Sequence, residues 1–508
     1  MEEKIQIVSP PVYRKHTTFT LTPGITRDID PYALVKKMGV KLNRVPEQSS
    51  DEIEQEFQEN YWYEDKYGNR KLNENVFAEA FCAIYKLNYS NGTFYSVVGA
   101  VSEEKVKKMI WESIRTVIKT NVDKEVTKLY GAVKLCATVP KLIIDENLIP
   151  FLNGDLDLKS KTFNENCFST TAYRLGIDLP QDAEPAPNFT KWLHDLFYDE
   201  DIPTIQQYLG YCFIPTTRCQ KTLLLVGEGG AGKSVMGVII NAIFGGCAYN
   251  VTSTQEVLNN RFLFAELENK LVLYDDDLDS ESFSDTGLYK KLVTNTSPIM
   301  ADKKYGKAFK FTPFARIICC TNEMITSTND NAEGFYRRLL PVAIKPKAPD
   351  FKPDPKFYDK IRKEKAFITL WALKGLFDLI QLNDFVLPQS LRSLQFVETK
   401  QMLGDPFPYF IKESFDFGPD FMVSSVDIKN AFYVWCTNNA VKGASYNKLV
   451  AFLTDYASKF NIQFSYHIPV GDTHVRGFVG MKLRHETPHD ASEKNVQNPK
   501  IRAGDLPF

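Results

Sequence analysis

A glycine-rich octet that ends in lysine and serine is the stretch of this sequence whose residue types and spacing specify a chemistry. Residues 227–234 read Gly-Glu-Gly-Gly-Ala-Gly-Lys-Ser, which fits the pattern G-x-x-x-x-G-K-[ST]. Glycines let consecutive backbone N–H groups turn inward around phosphate oxygens. A lysine there reaches the β- and γ-phosphates, and the serine hydroxyl is a ligand of Mg²⁺. The octet predicts a site for ATP and Mg²⁺, whose nucleotide-binding residues are Gly227, Glu228, Gly229, Gly230, Ala231, Gly232, Lys233, Ser234 and Val235.

The segments on either side of the octet are those that a phosphate loop needs. Thr222–Val226 is a continuous apolar run, typical of a strand buried on both faces. Val235–Phe244 reads as a helix, whose positive dipole end would face the same anion. A glycine-rich turn without function is disfavoured, because such a turn would need neither a buried strand before it nor an apolar helix after it.

Carboxylates follow a second apolar run. Leu271–Tyr274 is a candidate buried strand that leads into Asp275, Asp276 and Asp277. A carboxylate at the end of a strand beside a phosphate loop holds Mg²⁺, and a neighbour polarises the attacking water. We predict a metal site formed by Ser234, Asp275 and Asp276. Asp277 stays an alternative, since a shift of one residue would exchange the roles.

Two further polar groups occur in a fixed order after these acids. Ala315–Asn322 reads as a third strand, whose last residue Asn322 is suited to hydrogen-bond the γ-phosphate or its attacking water. Arg337 and Arg338 then precede the apolar run Leu340–Ile344, and a guanidinium binds phosphate bidentately. The predicted catalytic residues are Lys233, Asp275, Asp276, Asn322, Arg337 and Arg338.

A lysine-bearing hairpin is predicted between the second and third strands. Lys303, Lys304, Tyr305 and Lys307 would lie at its tip, before the alternating segment Ala308–Thr312. Lysines interleaved with an aromatic ring suit backbone and stacking contacts with single-stranded DNA. The alternative is a solvated loop without function.

Bulk composition excludes several classes of protein. Lys and Arg number 61 against 63 Asp and Glu, so any contact with nucleic acid must come from local patches. The nine cysteines are scattered without a C-x-x-C pair, which disfavours a disulfide framework or zinc site. No apolar stretch reaches membrane-spanning length. We therefore expect a cytoplasmic protein without a membrane partner.

The order of these motifs resembles that of the superfamily III helicases, which are AAA+ motors of viruses, phages and mobile elements. The resemblance implies a hexameric ring with ATP between subunits and DNA in a central pore lined by Lys303, Lys304 and Lys307. It implies that Asn322 is the sensor and that Arg337 or Arg338 is an arginine finger supplied to a neighbouring subunit. This chain has Asp where many relatives carry Glu after the acidic strand, which leaves the catalytic acid open within Asp275–Asp277.

Segments outside the motor extend the resemblance. Asn153–Leu158 and Gln206–Tyr211 look like the segment before the motor in phage and poxvirus primase-helicases, and Ala372–Leu376 and Arg476–Met481 look like their C-terminal parts. The chain looks most like the replication initiator helicases of staphylococcal pathogenicity islands, which are phage-inducible. This implies an ATP-dependent replicative DNA helicase and replication initiator of a mobile genetic element. Such a ring motor translocates on single-stranded DNA and unwinds duplex DNA, and its replication origin is the duplex partner that the resemblance implies.

The predicted fold class is α/β, with an AAA+ P-loop ATPase core, an α+β N-terminal region and a C-terminal winged-helix domain. Helices followed by a β wing suggest the last of these, with protein docking as the alternative to DNA binding. The predicted divisions are an N-terminal α+β region (1–150), a helical collar or linker (151–221), the motor core (222–345), a helical linker (346–404), the winged-helix domain (405–485) and a flexible tail (486–508).

Two other functions stay open at this point. A non-unwinding ATPase switch, such as a helicase loader, would have no need for the lysine hairpin. A primase-helicase would use Asp155 and Asp157 as a metal-binding D-x-D for primer synthesis. A turn followed by a strand is the stronger interpretation of that segment, because Asn153-Gly154 is a hairpin signal.

Overall fold

A computed structural model of the chain describes most of its residues. They are 41–44, 62–64, 66–68, 70–90, 92–96, 99–115, 118–139, 142, 144–169, 171–279, 286–294, 297–303, 308–325, 333–347, 353–382, 384–441, 445–460, 462–470 and 473–484. Within these ranges no helix has the length and apolar character required to cross a bilayer.

The first core is formed by three helices beside a small antiparallel sheet. Asn73 caps the first helix by accepting from the Val76 N–H at 3.4 Å, and Ser102 caps the second. The second helix runs from Glu103 to Ile114. The elements are β1 (Lys41–Arg44), β2 (Trp62–Glu64), β3 (Arg70–Leu72), α1 (Glu74–Tyr85), β4 (Asn88–Ser90), β5 (Thr93–Ser96), β6 (Gly99–Val101), α2 (Glu103–Ile114) and α3 (Val122–Cys136).

A second sheet follows, with the strand order β1-β9-β8-β7. The predicted turn at Asn153-Gly154 is confirmed, because it joins two antiparallel strands. Gly154 has a φ of +152°, and a Cβ there would lie 2.3 Å from the Asn164 carbonyl oxygen. Only glycine therefore fits this turn. The strands are β7 (Leu148–Phe151), β8 (Gly154–Asp157) and β9 (Thr162–Glu165).

A five-stranded sheet with the order β11-β12-β15-β10-β16 lies at the centre of the molecule. All four of its strand pairings are parallel, so the carboxyl ends of its strands meet at one edge. The prediction that this region has an α/β fold is confirmed. Its elements are α4 (Pro187–Leu196), α5 (Ile202–Tyr211), β10 (Thr222–Val226), α6 (Val235–Phe244), β11 (Ala248–Val251), α7 (Thr254–Asn259), α8 (Arg261–Ala265), β12 (Val272–Asp275), α9 (Thr286–Thr294), β13 (Ile299–Asp302), β14 (Ala308–Phe311), β15 (Arg316–Thr321), α10 (Glu333–Tyr336) and β16 (Leu339–Ala343).

Helices cover both faces of this sheet. Leu223 and Leu225 of β10 belong to one core and Leu224 and Val226 to the other, because successive strand residues point to opposite faces. All four side chains are fully buried, which confirms the strand predicted from the apolar run. Helices α4, α5, α6, α11 (Phe357–Lys363) and α12 (Lys365–Gln381) contribute to the first core. Helices α7 to α10 and α13 (Leu391–Gly404) contribute to the second.

Helices α5 and α12 pack with their backbones in contact. A Cβ on Gly210 would lie 2.2 Å from the Ala372 carbonyl oxygen, and one on Gly375 would lie 2.4 Å from that of Gln206. Both contacts are far shorter than any carbon–oxygen van der Waals separation, so each position requires glycine. This contact fixes α12, and with it α11, against the helices that precede β10.

The C-terminal unit alternates helices and strands around its own core. Its antiparallel sheet has the order β17-β19-β18. The sequence predicted helices followed by a β wing in this unit, and the structure has two helices followed by a hairpin here. The strand β17 was not predicted. The elements are α14 (Pro406–Ser414), β17 (Phe415–Ser424), α15 (Ser425–Asn438), α16 (Tyr446–Phe460), β18 (Gln463–Val470) and β19 (Thr473–Leu483). The tail predicted at 486–508 lies outside the described residues.

Candidate active site

The glycine-rich octet lies at the carboxyl edge of the central sheet, between β10 and α6. Gly230 and Gly232 have φ values of +76° and +102°, a region that side-chain-bearing residues rarely adopt. A Cβ on Gly227 would lie 2.9 Å from the Ile344 Cβ. The loop therefore depends on its glycines for both its turns and its contact with the end of β16.

Lys233 is held within this loop. Its Nζ donates to the carbonyl oxygens of Gly227 and Thr321, the latter at 3.0 Å, and to Asn322 Oδ1 at 2.8 Å. The residue is buried, and desolvation by burial lowers the pKa of its ammonium group. The cation is thus directed at the loop interior by three oxygen acceptors, each of which a phosphate oxygen would replace.

The strand order explains why Asn322 reaches Lys233. Strand β15 pairs with β10 on one side and with β12 on the other, so the residue after β15 lies between the phosphate loop and the acidic run. Asn322 follows β15 directly and its side chain is exposed at this edge. The structure thus brings together Lys233, Asn322 and the acids that were predicted as one site.

The three aspartates have different surroundings. Asp275 is fully buried, and its Oδ2 accepts from the Thr254 N–H at 2.6 Å and the Thr254 hydroxyl at 2.7 Å. Asp276 is exposed and accepts from the Tyr274 hydroxyl at 2.5 Å. Asp277 is also exposed, and its N–H donates to Asp275 Oδ1 at 3.3 Å. Asp275 therefore fixes the start of α7, whereas Asp276 and Asp277 face outward.

A cleft of about 600 Å³ opens beside this edge. Both Ser234 and Asp276 line it, which places a hydroxyl and a carboxylate oxygen on one concave surface. Mg²⁺ prefers oxygen ligands and takes only one or two carboxylates when substrate phosphates complete its shell. These residues fit a nucleotide-bound Mg²⁺, and the described part of the chain holds no cluster of three or more His, Cys, Asp or Glu that would cage a metal alone. The lining residues are Ser234, Gly237, Val238, Asn241, Ala242, Asn250, Val251, Tyr274, Asp276, Tyr358 and Arg362.

We expect Asp276→Asn to retain nucleotide binding and to lower the rate of ATP hydrolysis by about 100-fold or more, because a ligand of the metal would be lost. Steady-state ATPase rates and nucleotide titration measure the two effects. Asp275→Asn is the matched control, and we expect it to lower Tm, since it weakens two hydrogen bonds from Thr254 to a buried carboxylate. Normal turnover in Asp276→Asn with lost turnover in Asp277→Asn would assign the metal to Asp277 instead.

The predicted arginine pair lies at the opposite edge of the sheet from the phosphate loop. Thr222 pairs with Leu339 and Val226 with Ala343, so Arg337 and Arg338 flank the amino end of β10. Five residues of strand separate the two edges by about 16 Å, which exceeds the length of an arginine side chain. Neither guanidinium therefore reaches the phosphate loop of its own chain.

The two arginines also differ in exposure. The Arg337 side chain is exposed, and its carbonyl oxygen accepts from Lys221 Nζ at 2.7 Å. Arg338 is 8% exposed, and its guanidinium donates to the Gly334 carbonyl oxygen. Arg337 is thus the member of the pair whose guanidinium is available to another molecule.

The predicted hairpin is confirmed as a pair of antiparallel strands, in which Ile299 pairs with Phe311 and Asp302 with Ala308. Lys303 Nζ lies 2.7 Å from Glu268 Oε2 and 4.7 Å from the centre of the Phe309 ring. The other predicted tip residues, Lys304, Tyr305 and Lys307, lie outside the described residues. Lys303 is therefore already engaged at the base of the hairpin.

An exposed aromatic ring beside the hairpin was not predicted. Phe262 is 54% exposed and lies on α8, which packs against β13. Phe264, two residues later, is buried, because residues two apart on a helix point in nearly opposite directions. The spacing of Phe262 and Phe264 could have predicted the exposed ring, because a helix that buries one of these two rings exposes the other.

The D-x-D segment is structural. Asp155 Oδ1 accepts from Arg174 NH1 at 2.7 Å in a pair whose side chains are each 3% exposed. Its Oδ2 accepts from the Ser169 N–H at 2.5 Å, and Asp157 Oδ1 accepts from the Ser160 N–H at 2.8 Å. The metal-binding alternative does not fit, because both oxygens of Asp155 are occupied in the interior.

Part of the chain matches the model of a protein family whose function is not established. Residues 225–338 match DUF5906, described as a family of unknown function. The matched segment runs from the end of β10 to Arg338 and so contains the phosphate loop, the acidic run, the hairpin, Asn322 and both arginines. No curated protein sequence matches the chain.

Solved structures of the C-terminal region of NrS-1 are similar to this chain. One apo form has 10% identity and a TM-score of 0.44 over 78% of this chain and 96% of its own. Another has 11% identity and a TM-score of 0.43 over 86% of this chain and 100% of its own.

Proposed function

We propose that the protein is an ATP-dependent DNA helicase with an AAA+ core, which acts as a hexameric ring on single-stranded DNA and drives replication of a mobile genetic element from its origin. The observation that carries the proposal is the separation of Arg337 from Lys233 by the full height of the sheet. An exposed arginine there completes an ATP site only on a second copy of the chain. A ring provides every copy with such a neighbour.

The residues at the carboxyl edge have distinct roles in ATP hydrolysis. Backbone N–H groups of the loop bind the phosphates, and Lys233 exchanges its bonds to Thr321 and Asn322 for phosphate oxygens. Asn322, once released, is placed to hydrogen-bond the attacking water. Ser234 and Asp276 would hold Mg²⁺, which would supply neutralisation of charge on the phosphates of the bound nucleotide. The partner's Arg337 stabilises the transition state.

The chain path offers a mechanical link between this site and DNA. Strand β15 begins at Arg316, five residues after β14 ends, and it ends one residue before Asn322. A change at Asn322 on hydrolysis can therefore move the base of the hairpin through a single strand. The exposed ring of Phe262 lies beside that base, where it suits stacking on a nucleic-acid base.

Lys304→Ala is the test that separates a motor from a switch. We expect DNA-free ATPase to stay within about twofold of the unmodified rate and duplex unwinding to be lost, because the lysine would contact the phosphate backbone of the translocated strand. A strand-displacement assay and an ATPase assay measure both. Lys310→Ala, an exposed lysine on β14 away from the tip, is the matched control. Retained unwinding with alanine at 303, 304 and 307 together would instead show that the tip is a solvated loop whose lysines have no role in translocation. ATP hydrolysis without any unwinding by the unmodified protein would favour the non-unwinding ATPase switch.

The C-terminal unit supports a role in duplex DNA binding. Its order of helix, strand, two helices and two paired strands, with β19 between β17 and β18, supports our proposal of a winged-helix domain. Helix α16 exposes Asn447, Lys448 and Thr454, which are side chains able to contact DNA. The alternative of protein docking is supported by Val426 and Val434 on α15, which are 61% and 53% exposed.

A primase-helicase is the less supported alternative. Its predicted metal site would need Asp155, whose two oxygens are bound to Arg174 and Ser169 in the interior. A primer-synthesis assay on the full chain tests it directly, and product formation would require a catalytic site elsewhere.

A further inference from the structure

A tryptophan from outside the predicted site contacts the phosphate loop. The indole Nε1–H of Trp192, on α4, donates to the Gly232 carbonyl oxygen at 3.1 Å. The side chain is 5% exposed, and its Nε1 is the nearest heavy atom, at 4.0 Å, to a Cβ built on Gly232. The contact is thus a direct one between the loop and the helix layer beneath it.

This hydrogen bond fixes the peptide unit that joins Gly232 to Lys233. A trans peptide is planar, and its carbonyl oxygen and N–H point in opposite directions. Because Trp192 binds the carbonyl from outside the loop, the Lys233 N–H is directed inward, where the loop would enclose a phosphate. The Gly232 oxygen also accepts from the Val235 N–H at the longer distance of 3.3 Å, so the peptide has two anchors.

We propose that Trp192 is a positioning residue that holds the Gly232–Lys233 peptide in the orientation required for nucleotide binding. The proposal rests on the proposed function of the loop and adds a determinant that lies in the preceding helical segment. Gly232 has a φ of +102°, and glycine in the unfolded loop has access to many other conformations. An external hydrogen bond removes that freedom before nucleotide arrives.

The indole itself is held in place by α4 and its neighbours. The Trp192 ring lies 5.9 Å from the ring of Phe189 and 5.3 Å from that of Phe197. Helix α4 has no side-chain cap of its own. The carboxylate of Glu364, between α11 and α12, accepts instead from the Asn188 and Phe189 N–H groups at 3.1 and 2.7 Å. The tryptophan therefore has a rigid base from which to anchor the loop.

Trp192→Phe tests the proposal, because it keeps an aromatic ring and removes the N–H donor. We expect the Kd for ADP, from titration calorimetry, to rise about fivefold, which corresponds to the loss of about 1 kcal/mol for one neutral hydrogen bond. The KM for ATP should rise by the same factor while kcat changes less than twofold, since saturating nucleotide restores the orientation. A general loss of packing would instead lower Tm and kcat together.

Trp371→Phe is the matched control. Trp371 is 2% exposed, lies in the same core and packs on Phe189 at 5.1 Å, but it is on α12 and has no part in the loop. We expect it to leave the Kd for ADP unchanged. Trp192→Leu, whose side chain has no hydrogen-bond donor, should raise the Kd at least as much and makes the result independent of one variant's folding.

The outcomes separate this inference from the proposed function. If the unmodified protein binds ADP and both Trp192 variants bind it equally well, the positioning role is wrong and the function stands. If the unmodified protein binds no nucleotide, the function itself fails. An equal rise in Kd for Trp192→Phe and Trp371→Phe would show that core packing, and not the hydrogen bond, determines affinity.

Discussion

Lys233→Ala is expected to abolish ATP hydrolysis, with a fall in kcat of about 100-fold or more, and to abolish unwinding with it. The Lys233 ammonium group is already directed into the phosphate loop by Thr321 and Asn322 at 3.0 and 2.8 Å. Removing a preorganised charge from the place where negative charge develops costs about two to three orders of magnitude. Steady-state release of phosphate measures the rate.

The fold should survive this substitution. Burial lowers the pKa of Lys233, which means that the folded protein disfavours the charged form relative to solvent. Alanine therefore removes an interaction with phosphate and also a desolvated charge. Lys191→Ala on α4, whose side chain is 70% exposed, is the control and should leave turnover unchanged. Near-normal hydrolysis by the Lys233→Ala protein would show that the octet is not the catalytic loop.

Arg337→Ala is expected to lower kcat by about 1,000-fold or more while nucleotide binding persists, which is the effect of losing an arginine finger. The arginine lies at the amino edge of the sheet, so the change does not touch the chain's own loop. Arg338→Ala is the contrasting variant. Its guanidinium is buried and donates to the Gly334 carbonyl, so we expect a lower Tm as its main effect.

Mixing experiments locate the arginine on the neighbouring copy. Rings that contain both Arg337→Ala and Lys233→Ala chains should regain part of the ATPase activity, because some interfaces combine an intact loop with an intact arginine. Native mass spectrometry verifies that mixed rings form. The absence of rescue in verified mixed rings would contradict action between subunits. It would also contradict the inference, on which the proposed function depends, that Arg337 completes the ATP site of a neighbouring copy.

Local features of the site were predictable from the sequence. The strand Thr222–Val226 and the helix Val235–Phe244 were predicted with the bounds that the structure has, because a continuous apolar run and a glycine-rich loop are local signals. The hairpin between β13 and β14 was predicted for the same reason. In each of these elements, the pattern of apolar and polar residues that predicts it lies within the element itself.

Features that depend on distant residues were not predictable. The exposed Asp276 and the buried Asp275 are adjacent in sequence, but Asp275 is bound by Thr254, which lies 21 residues earlier in the chain. The partner of Asp155 is Arg174, which no spacing rule identifies. Strand β17 contains Gly418 and Pro419, which are typical of a loop, and its register with β19 shifts between Phe417 and Met422. A tertiary pairing there overrides the local signal.

The order of strands in the central sheet also dictates when the phosphate loop can acquire its shape during synthesis. Leu223 of β10 pairs with Ile318 and Leu340, which follow it by about 95 and 117 residues. At about 5 to 20 residues per second, the ribosome needs roughly 6 to 23 s to make both partners after β10 itself. Until β15 has been made, the fully buried strand β10 has neither of its neighbours. The glycine-rich loop is therefore held between its neighbouring strands only after β15 and β16 have been made, although its own sequence precedes both of them.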